Sequence, residues 1–190
     1  MKIYDISQEV FSCCVYPGDP VPKGEKVLTI AGGAVSNVTA LSMCAHNGTH
    51  VDAPYHFFDD GKKIDEIPLE KLVGEALVVS CDGAPDADWL EEILKTAPGK
   101  LLFKGNAVIT LEAAKLCNQY GMELLGIESQ SFGPDGDPIP VHLELLSKEV
   151  VLLEGIRLAQ VPEGRYILHV APLNLGGADG APCRATLLEV

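Results

Sequence analysis

The sequence has few basic residues, and they do not cluster. Lysine and arginine together number 14 against 27 aspartates and glutamates, so the 190 residues carry a formal charge of −13. Proteins that bind the phosphate backbone of nucleic acids need grouped lysines and arginines. We therefore expect no nucleic-acid partner and attribute the negative charge to solubility.

Long hydrophobic runs are also missing. The start, MKIYDISQEV, lacks the cationic region and the apolar stretch of a signal peptide. No apolar run approaches the roughly 20 residues that a membrane span requires. We therefore expect a cytoplasmic protein without a membrane partner. A chain of this length, with 47% hydrophobic residues, fits one domain over residues 1–190.

Six cysteines are present, but no two of them form a Cys-x-x-Cys pair. This absence argues against a zinc ribbon and against a disulfide framework. We expect most of the cysteines to be small buried hydrophobic residues. Cys44 precedes His46 by two positions, and a role as a metal ligand is the less favoured alternative for it.

No predicted strand is followed by a Gly-x-Gly-x-x-Gly turn, which argues against a doubly wound nucleotide fold. Hydrophobic periodicity and turn residues predict strands in the first half and alternating strands and helices in the second. Strands are predicted at residues 2–6, 26–31, 35–45, 75–81, 100–104, 123–128, 150–153, 165–170 and 184–189, and helices at 86–97, 110–120 and 141–148. This pattern predicts an α/β (mixed α+β) domain with a central mixed β-sheet flanked by helices.

The strand predicted at 35–45 bears on the candidate site. It forms a hairpin with the strand before it, across Gly32 and Gly33. Alternate residues of a strand share a face, here Val38, Ala40, Ser42, Cys44 and His46. His46 is therefore expected to lie at the carboxyl end of this strand, on the same face.

Three of the five histidines lie between His46 and His56, together with Asp52. Neutral imidazole and carboxylate are the usual ligands of zinc, manganese and ferrous iron. Gly48 lets the backbone approach an ion, and Pro54 prevents a continuous helix. A polar turn with satisfied hydrogen bonds is the alternative, but three histidines and an aspartate in so short a segment favour a metal site.

The spacing His46-x-x-x-His50-x-Asp52 can bring three side chains to one point. It matches the helical motif of zinc proteases only in its histidine spacing, because Gly48 disfavours a helix and no glutamate follows His46. A catalytic metal keeps one position open and needs a base nearby. His56 is the candidate base, with a fourth ligand or a residue orienting Asp52 as alternatives.

The segment His46-Asn-Gly-Thr-His50-Val-Asp52-Ala-Pro-Tyr-His56-Phe57 resembles the signature of the cyclase family of metal-dependent hydrolases, which includes bacterial kynurenine formamidases and isatin hydrolases. Three further segments resemble the family, at 16–20, 126–131 and 177–185. The resemblance covers most of the chain and implies a cyclase-like fold. It implies that His46, His50 and Asp52 bind metal and that His56 transfers protons.

Two downstream segments resemble the part of the family that holds a second metal. They are Val141-His142-Leu143-Glu144 and Leu152-Leu153-Glu154-Gly155, which imply His142 and Glu154 as further ligands. Glu154 also follows an apolar strand, where a charge emerging from the core needs a partner. An exposed helical position is the alternative for His142.

The resemblance implies a hydrolase that cleaves a small amide, formamide or lactam-type C–N bond, as arylformamidases do. It implies one or two divalent ions per chain, with zinc expected first and manganese or iron as alternatives, since the ligands suit all three. It also implies a homo-oligomer, either a dimer or a tetramer. The rival hypothesis is a metal-stabilised small-molecule-binding protein without turnover.

The substrate stays open because the sequence departs from the family pattern. The segment after Lys104 runs almost directly into the helix at Thr110, and Glu128 and Gln130 replace the usual aspartate and proline. A serine hydrolase is a weaker hypothesis, because Ser129-Gln-Ser131-Phe-Gly133 lacks the first glycine of a nucleophile elbow. No substrate-binding residue is assigned.

Overall fold

The computed structural model describes residues 1–189, which contain ten strands and four α-helices. The strands are β1 Ile3–Asp5, β2 Lys23–Leu28, β3 Val38–Ser42, β4 His50–Asp52, β5 Val73–Ser80, β6 Lys100–Lys104, β7 Leu124–Ile127, β8 Val151–Glu154, β9 Gly164–Pro172 and β10 Gly180–Leu188. The helices are α1 Leu69–Leu72, α2 Ala87–Leu94, α3 Leu111–Gln119 and α4 Ile139–Leu146.

Eight of the strands form one sheet, in the order β1-β10-β4-β8-β7-β6-β5-β9. Strand β9 also pairs with β10, so the sheet closes on itself like a barrel. Strands β5 to β8 run parallel, whereas β4, β9 and β10 run antiparallel to their neighbours. The predicted mixed sheet is confirmed, and its closure is a feature that the sequence did not predict.

The two faces of the closed sheet pack into separate cores. In β6, Leu102 belongs to one core while Leu101 and Phe103 belong to the other, as the two-residue repeat of a strand requires. The second core also contains the buried residues of α2, α3 and α4, so these helices cover the outer face of the sheet. Among the described helices, none combines the length and the apolar character that a membrane crossing requires.

The helix starts follow local hydrogen bonding. The Asp86 side chain accepts hydrogen bonds from the backbone N–H groups of Asp88 and Trp89 at the start of α2. The Thr110 hydroxyl accepts one from the Ala113 N–H at the start of α3. A side chain that satisfies free N–H groups in the first turn is worth about 1 kcal/mol. Both predicted helices are confirmed.

The strand predicted at 35–45 is wrong at its end. Strands β2 and β3 form a separate two-stranded sheet, and β3 stops at Ser42. Cys44 and His46 therefore lie in the following loop and not on a strand face. The chain next enters the closed sheet as β4, which the sequence did not predict as a strand, and this short strand organises the site.

Candidate metal centre

Strand β4 places two of the predicted ligands side by side. His50 and Asp52 share one face, while Val51 between them packs into the interior core. In the antiparallel pairing of β4 with β8, His50 lies directly opposite Glu154. The shared face is the outer one, because Leu152, two residues before Glu154, packs in the core beneath the helices.

Helix α4 brings His142 over the same point. The His142 Nε2 atom lies 3.2 Å from Glu154 Oε1 and 3.7 Å from Asp52 Oδ2. The residue is only 3% exposed, so the alternative of an exposed helical histidine is wrong. The structure thus joins residues from β4, α4 and β8 in one buried cluster, which we call the His50 cluster: His50, Asp52, His142 and Glu154.

The two imidazoles of the His50 cluster are oriented by backbone carbonyls. His50 Nδ1 lies 3.0 Å from the Gly48 oxygen, and His142 Nδ1 lies 2.9 Å from the Pro138 oxygen. A carbonyl oxygen only accepts, so each Nδ1 carries the proton and donates. In the neutral rings, both Nε2 lone pairs then face the carboxylates.

This convergence of acceptors fits a bound cation. Nε2 of His50 lies 3.1 Å from Glu154 Oε2 and 3.4 Å from Asp52 Oδ1, and neither carboxylate oxygen can donate. Asp52 and Glu154 are at most 2% exposed, and burial of an unpaired charge costs several kcal/mol. Each of His50, Asp52 and Glu154 offers an atom that could bind a metal, and these three atoms lie within 4.8 Å of one another. The donor set therefore suits a divalent transition metal.

Gly48 shapes the turn that precedes β4. Its φ is +69°, a left-handed conformation that glycine adopts without strain. Its carbonyl oxygen accepts from His50 Nδ1 and also from the side-chain amide of Gln130, at 2.7 Å. The glycine thus shapes the turn that orients His50.

His46 lies beside the His50 cluster and bridges two carboxylates. Its Nδ1 is 2.8 Å from Asp52 Oδ1, and its Nε2 is 2.8 Å from Asp179 Oδ2. Burial opposes the charging of this ring, but the hydrogen bonds to the two carboxylates outweigh burial and raise the pKa of His46 to about 9. A Cβ at Gly180 would lie only 2.8 Å from the His46 ring. The absence of a side chain at Gly180 therefore makes room for this ring.

The raised pKa of His46 makes a prediction for the metal-free protein. An imidazole whose pKa is higher in the folded chain stabilises it below the ordinary value of 6.5 and loses that effect as pH rises through about 9. The pKa values of His50 and His142 are raised as well. We expect the free energy of unfolding to fall between pH 6.5 and 9, by about 3 kcal/mol for His46 alone.

Urea denaturation of chelator-treated protein across this pH range measures the effect. His46→Gln is the matched control, since its free energy of unfolding should fall less over the same range. A flat profile for the unsubstituted protein would contradict the prediction.

Asp179 is a residue of the site that the sequence analysis did not assign. Its Oδ2 contacts both His46 Nε2, at 2.8 Å, and His56 Nδ1, at 3.2 Å. Its backbone carbonyl also accepts from the Ala53 N–H, which ties it to the segment after β4. The only signal in the sequence was its place in the Gly/Pro-rich segment 177–185 that resembles the family.

His56 ends a short 3-10 turn, Pro54–His56, which begins at the proline expected to stop a helix. Its ring lies 4.2 Å from the His46 ring, between centroids, and its side chain is 30% exposed. Donor atoms of His46, Asp52 and His56 also lie within 4.8 Å of one another. Cys44 belongs to neither donor group in the described part of the chain.

All six predicted residues line one cavity of about 220 Å³. The remaining lining comes from Tyr16, Asp19, Phe57, Gln130, Ser131, Pro138 and Ile139. The Phe57 ring stacks on His142 at 4.9 Å, so an apolar wall stands directly beside the candidate ligands. His56, more exposed than the His50 cluster, lies where the cavity meets solvent.

Comparison with solved structures shows that this architecture recurs. The chain superposes on a potential metal-dependent hydrolase with cyclase activity, with a TM-score of 0.82 and 30% sequence identity, over 98% of this chain and 96% of the other. A predicted metal-dependent hydrolase from Bacillus stearothermophilus gives a TM-score of 0.81 and 29% identity, over 98% and 97%. Isatin hydrolase A from Labrenzia aggregata, bound to benzyl benzoate, shares the fold at 22% identity, with a TM-score of 0.83 over 98% and 93%.

The Cyclase family model matches residues 4–96, which include the segment from His46 to Phe57. The match to the first of the solved relatives extends over almost the whole of both chains. The family resemblance and the cyclase-like fold predicted from the sequence are therefore confirmed, and the chain belongs to the cyclase family.

Proposed function

We propose that this protein is a metal-dependent hydrolase that cleaves a small amide, formamide or lactam-type C–N bond. The observation that carries the proposal is the His50 cluster, whose buried nitrogen and oxygen acceptors converge at the floor of a cavity. Relatives described as metal-dependent hydrolases support the reaction class. The finer, arylformamidase-like specificity is part of the proposal.

The residues proposed to hold metal are those predicted from the sequence: His46, His50, Asp52, His142 and Glu154. A divalent ion held by these residues, with zinc expected first and manganese or iron as alternatives, would supply Lewis acidity and a water of lowered pKa. One or two ions per chain are proposed. The Asp52 carboxylate contacts His46 as well as His50 and His142, so it is the residue that two ions would share.

His56 is the proposed proton carrier. Its Nδ1 faces the Asp179 carboxylate, which only accepts, so Nδ1 carries the proton and Nε2 is left to act as a base. In the proposed reaction, Nε2 takes a proton from the attacking water and passes it to the leaving nitrogen. Asp179 positions the ring for this transfer, much as an aspartate orients the histidine of a catalytic triad.

A substrate screen with metal-loaded protein tests the proposed function. Protein reconstituted with zinc, manganese or ferrous iron is assayed against formanilide, N-formylkynurenine, isatin and a cyclic imide. We expect hydrolysis of at least one substrate, and loss of that activity on chelation with recovery when metal is returned. Isatin is included because solved neighbours with this fold are isatin hydrolases.

Other outcomes of the screen distinguish the rival hypotheses. Tight metal binding without turnover of any substrate would favour the metal-stabilised binding protein. Hydrolysis that survives complete removal of metal would favour a serine or cysteine nucleophile instead. Elemental analysis of protein purified without chelator provides the control, and less than about one metal ion per chain would contradict the metal assignment.

We also propose a homo-oligomer, a dimer or a tetramer, because the β2–β3 hairpin stands apart from the closed sheet. Both of its strands are exposed along their whole length, including Val27, Leu28 and Leu41. A two-stranded hairpin is at best marginally stable in water, and exposed apolar patches often mark interfaces. A second copy of the chain would cover it.

Light scattering coupled to size-exclusion chromatography tests this assembly. We expect a mass of two or four chains, and a shift towards the monomer when Leu41→Asp places a charge on the hairpin. Leu69→Asp, at an exposed position on α1, is the matched control. A monomeric unsubstituted protein would contradict the proposal.

A further inference from the structure

Apart from the proposed metal ligands and His56, the described lining of the candidate cavity carries one carboxylate, Asp19, and no lysine or arginine. Beyond the residues proposed to bind metal or to move protons, the lining is Tyr16, Asp19, Phe57, Gln130, Ser131, Pro138 and Ile139. Within the described residues, neither lysine nor arginine contributes to it. A substrate in this cavity therefore lies near the Asp19 carboxylate and meets no lysine or arginine among the described residues.

Asp19 is held in the cavity lining by a tight turn. The Asp19 N–H donates to the Tyr16 oxygen at 3.0 Å, and Gly18 between them has a φ of +102°. This turn presents both Tyr16 and Asp19 to the cavity. Among residues 1–189, the ion pairs of lysine, arginine and histidine do not include Asp19, so no cationic side chain pairs with its carboxylate.

The adjoining groove has the same character. It shares Tyr16, Gln130, Ser131 and Pro138 with the cavity and continues to Asp135, with no lysine or arginine among its lining residues in the described chain. Any part of a substrate that extends beyond the cavity thus meets a second carboxylate. The formal charge of −13 adds repulsion for approaching anions.

The cavity is also small. Its volume of about 220 Å³ lies below the range of about 300–1,000 Å³ that is usual for drug-sized ligands. Phe57 and Ile139 provide apolar surface, which suits a flat or short hydrocarbon group. Size and surface together favour a compact substrate with a flat or short hydrocarbon part beside the bond to be cleaved.

We propose that the site selects small amides without an anionic group and favours those that carry a protonated amine. The Asp19 carboxylate is the residue that attracts this ammonium group and repels anions. This inference rests on the proposed function and names its substrate class. Away from the proposed metal ligands, an α-amino acid substrate would place its carboxylate near Asp19 and, within the described residues, near no lysine or arginine, which disfavours such compounds. At about 6 Å, unit charges interact strongly enough near a protein surface to change affinity about tenfold or more.

The test uses three para-substituted benzohydroxamates, which share one metal-binding group and carry para substituents of similar size and different charge. They carry an aminomethyl, a hydroxymethyl or a carboxylate substituent, and their Kd values for the zinc-loaded protein are measured by calorimetry. We expect the aminomethyl compound to bind at least about tenfold more tightly than the carboxylate. Asp19→Asn should shrink this ratio to within about threefold, and Asp19→Lys should invert it.

Asp88→Asn is the matched control, because it removes the same charge from α2, which does not line the cavity. A carboxylate compound that binds as tightly as the aminomethyl one, a ratio unchanged in Asp19→Asn, or no binding of any hydroxamate would overturn the inference. The Kd series tests the charge preference and the hydrolysis screen tests the proposed function, so one result can be negative without the other. A charge preference in binding without turnover would contradict only the proposed function, whereas turnover with no charge preference would contradict only the inference.

Discussion

Replacing Asp52 with asparagine should remove both metal binding and turnover. The carboxylate belongs to both candidate donor groups, and its two oxygens face three imidazoles, those of His46, His50 and His142. Asparagine keeps the shape but loses the charge, and its amide nitrogen donates where the site needs an acceptor. Because metal-based charge stabilisation is worth several kcal/mol, we expect kcat/KM to fall by about 10³-fold or more.

Thermal unfolding supplies a readout that does not depend on turnover. A metal that binds only the folded chain stabilises it, by about 4 kcal/mol at a free concentration of 1,000 times its Kd. We expect zinc to raise the Tm of the unsubstituted protein and to leave the Tm of Asp52→Asn unchanged. Metal content from elemental analysis should fall in parallel.

Asp60→Asn is the matched control, because Asp60 is exposed and belongs to neither donor group. Its metal content and its thermal shift should match those of the unsubstituted protein. Circular dichroism checks that Asp52→Asn folds. A folded Asp52→Asn protein that keeps its metal would contradict the assignment of this carboxylate as a ligand.

Much of the second half of the fold could be predicted because its signals are local. Strand β6 is found at residues 100–104, as predicted, since a buried parallel strand is a short, nearly continuous apolar run. Helix α3 begins after its predicted cap, Thr110, and is followed by Gly121, whose φ of +68° suits a helix end. In each case the sequence of one segment is enough to specify it.

Strand β4 could not be predicted, because nothing within it resembles a strand. It contains His50, Val51 and Asp52, and its hydrogen-bonding partners lie in β8 and β10, far along the chain. The closure of the sheet between β9 and β10 likewise depends on long-range pairing. The hairpin strand was predicted too long because the apolar pattern continues past Ser42, where the pairing with β2 ends.

The residues of the candidate site also fall into those that the sequence could indicate and one that it could not. The histidines and Asp52 stand close enough in sequence for their chemistry to be visible, and the family resemblance pointed to His142 and Glu154. Asp179 was not assigned, because its role depends on two contacts with residues more than 100 positions earlier. A single aspartate in a Gly/Pro-rich segment carries no local pattern that distinguishes it from a turn residue.

Replacing His56 with alanine should leave the metal in place and slow turnover. The His56 side chain is 30% exposed at the mouth, whereas the residues of the His50 cluster are buried. Removal of a positioned acid or base usually costs about 10²–10⁴-fold in rate, and we expect kcat to fall in this range with little change in KM. Metal content and the zinc-dependent rise in Tm should stay as in the unsubstituted protein.

Asp179→Asn tests whether the orientation of His56 matters apart from its presence. The amide keeps the shape of the carboxylate but no longer anchors the His56 Nδ1–H with a full charge, so we expect a smaller loss in kcat, about 10–100-fold. Added imidazole should restore part of the activity of His56→Ala and none of that lost in Asp179→Asn. If His56→Ala loses its metal along with its activity, His56 is a ligand, and the proton must be carried by another group in the cavity.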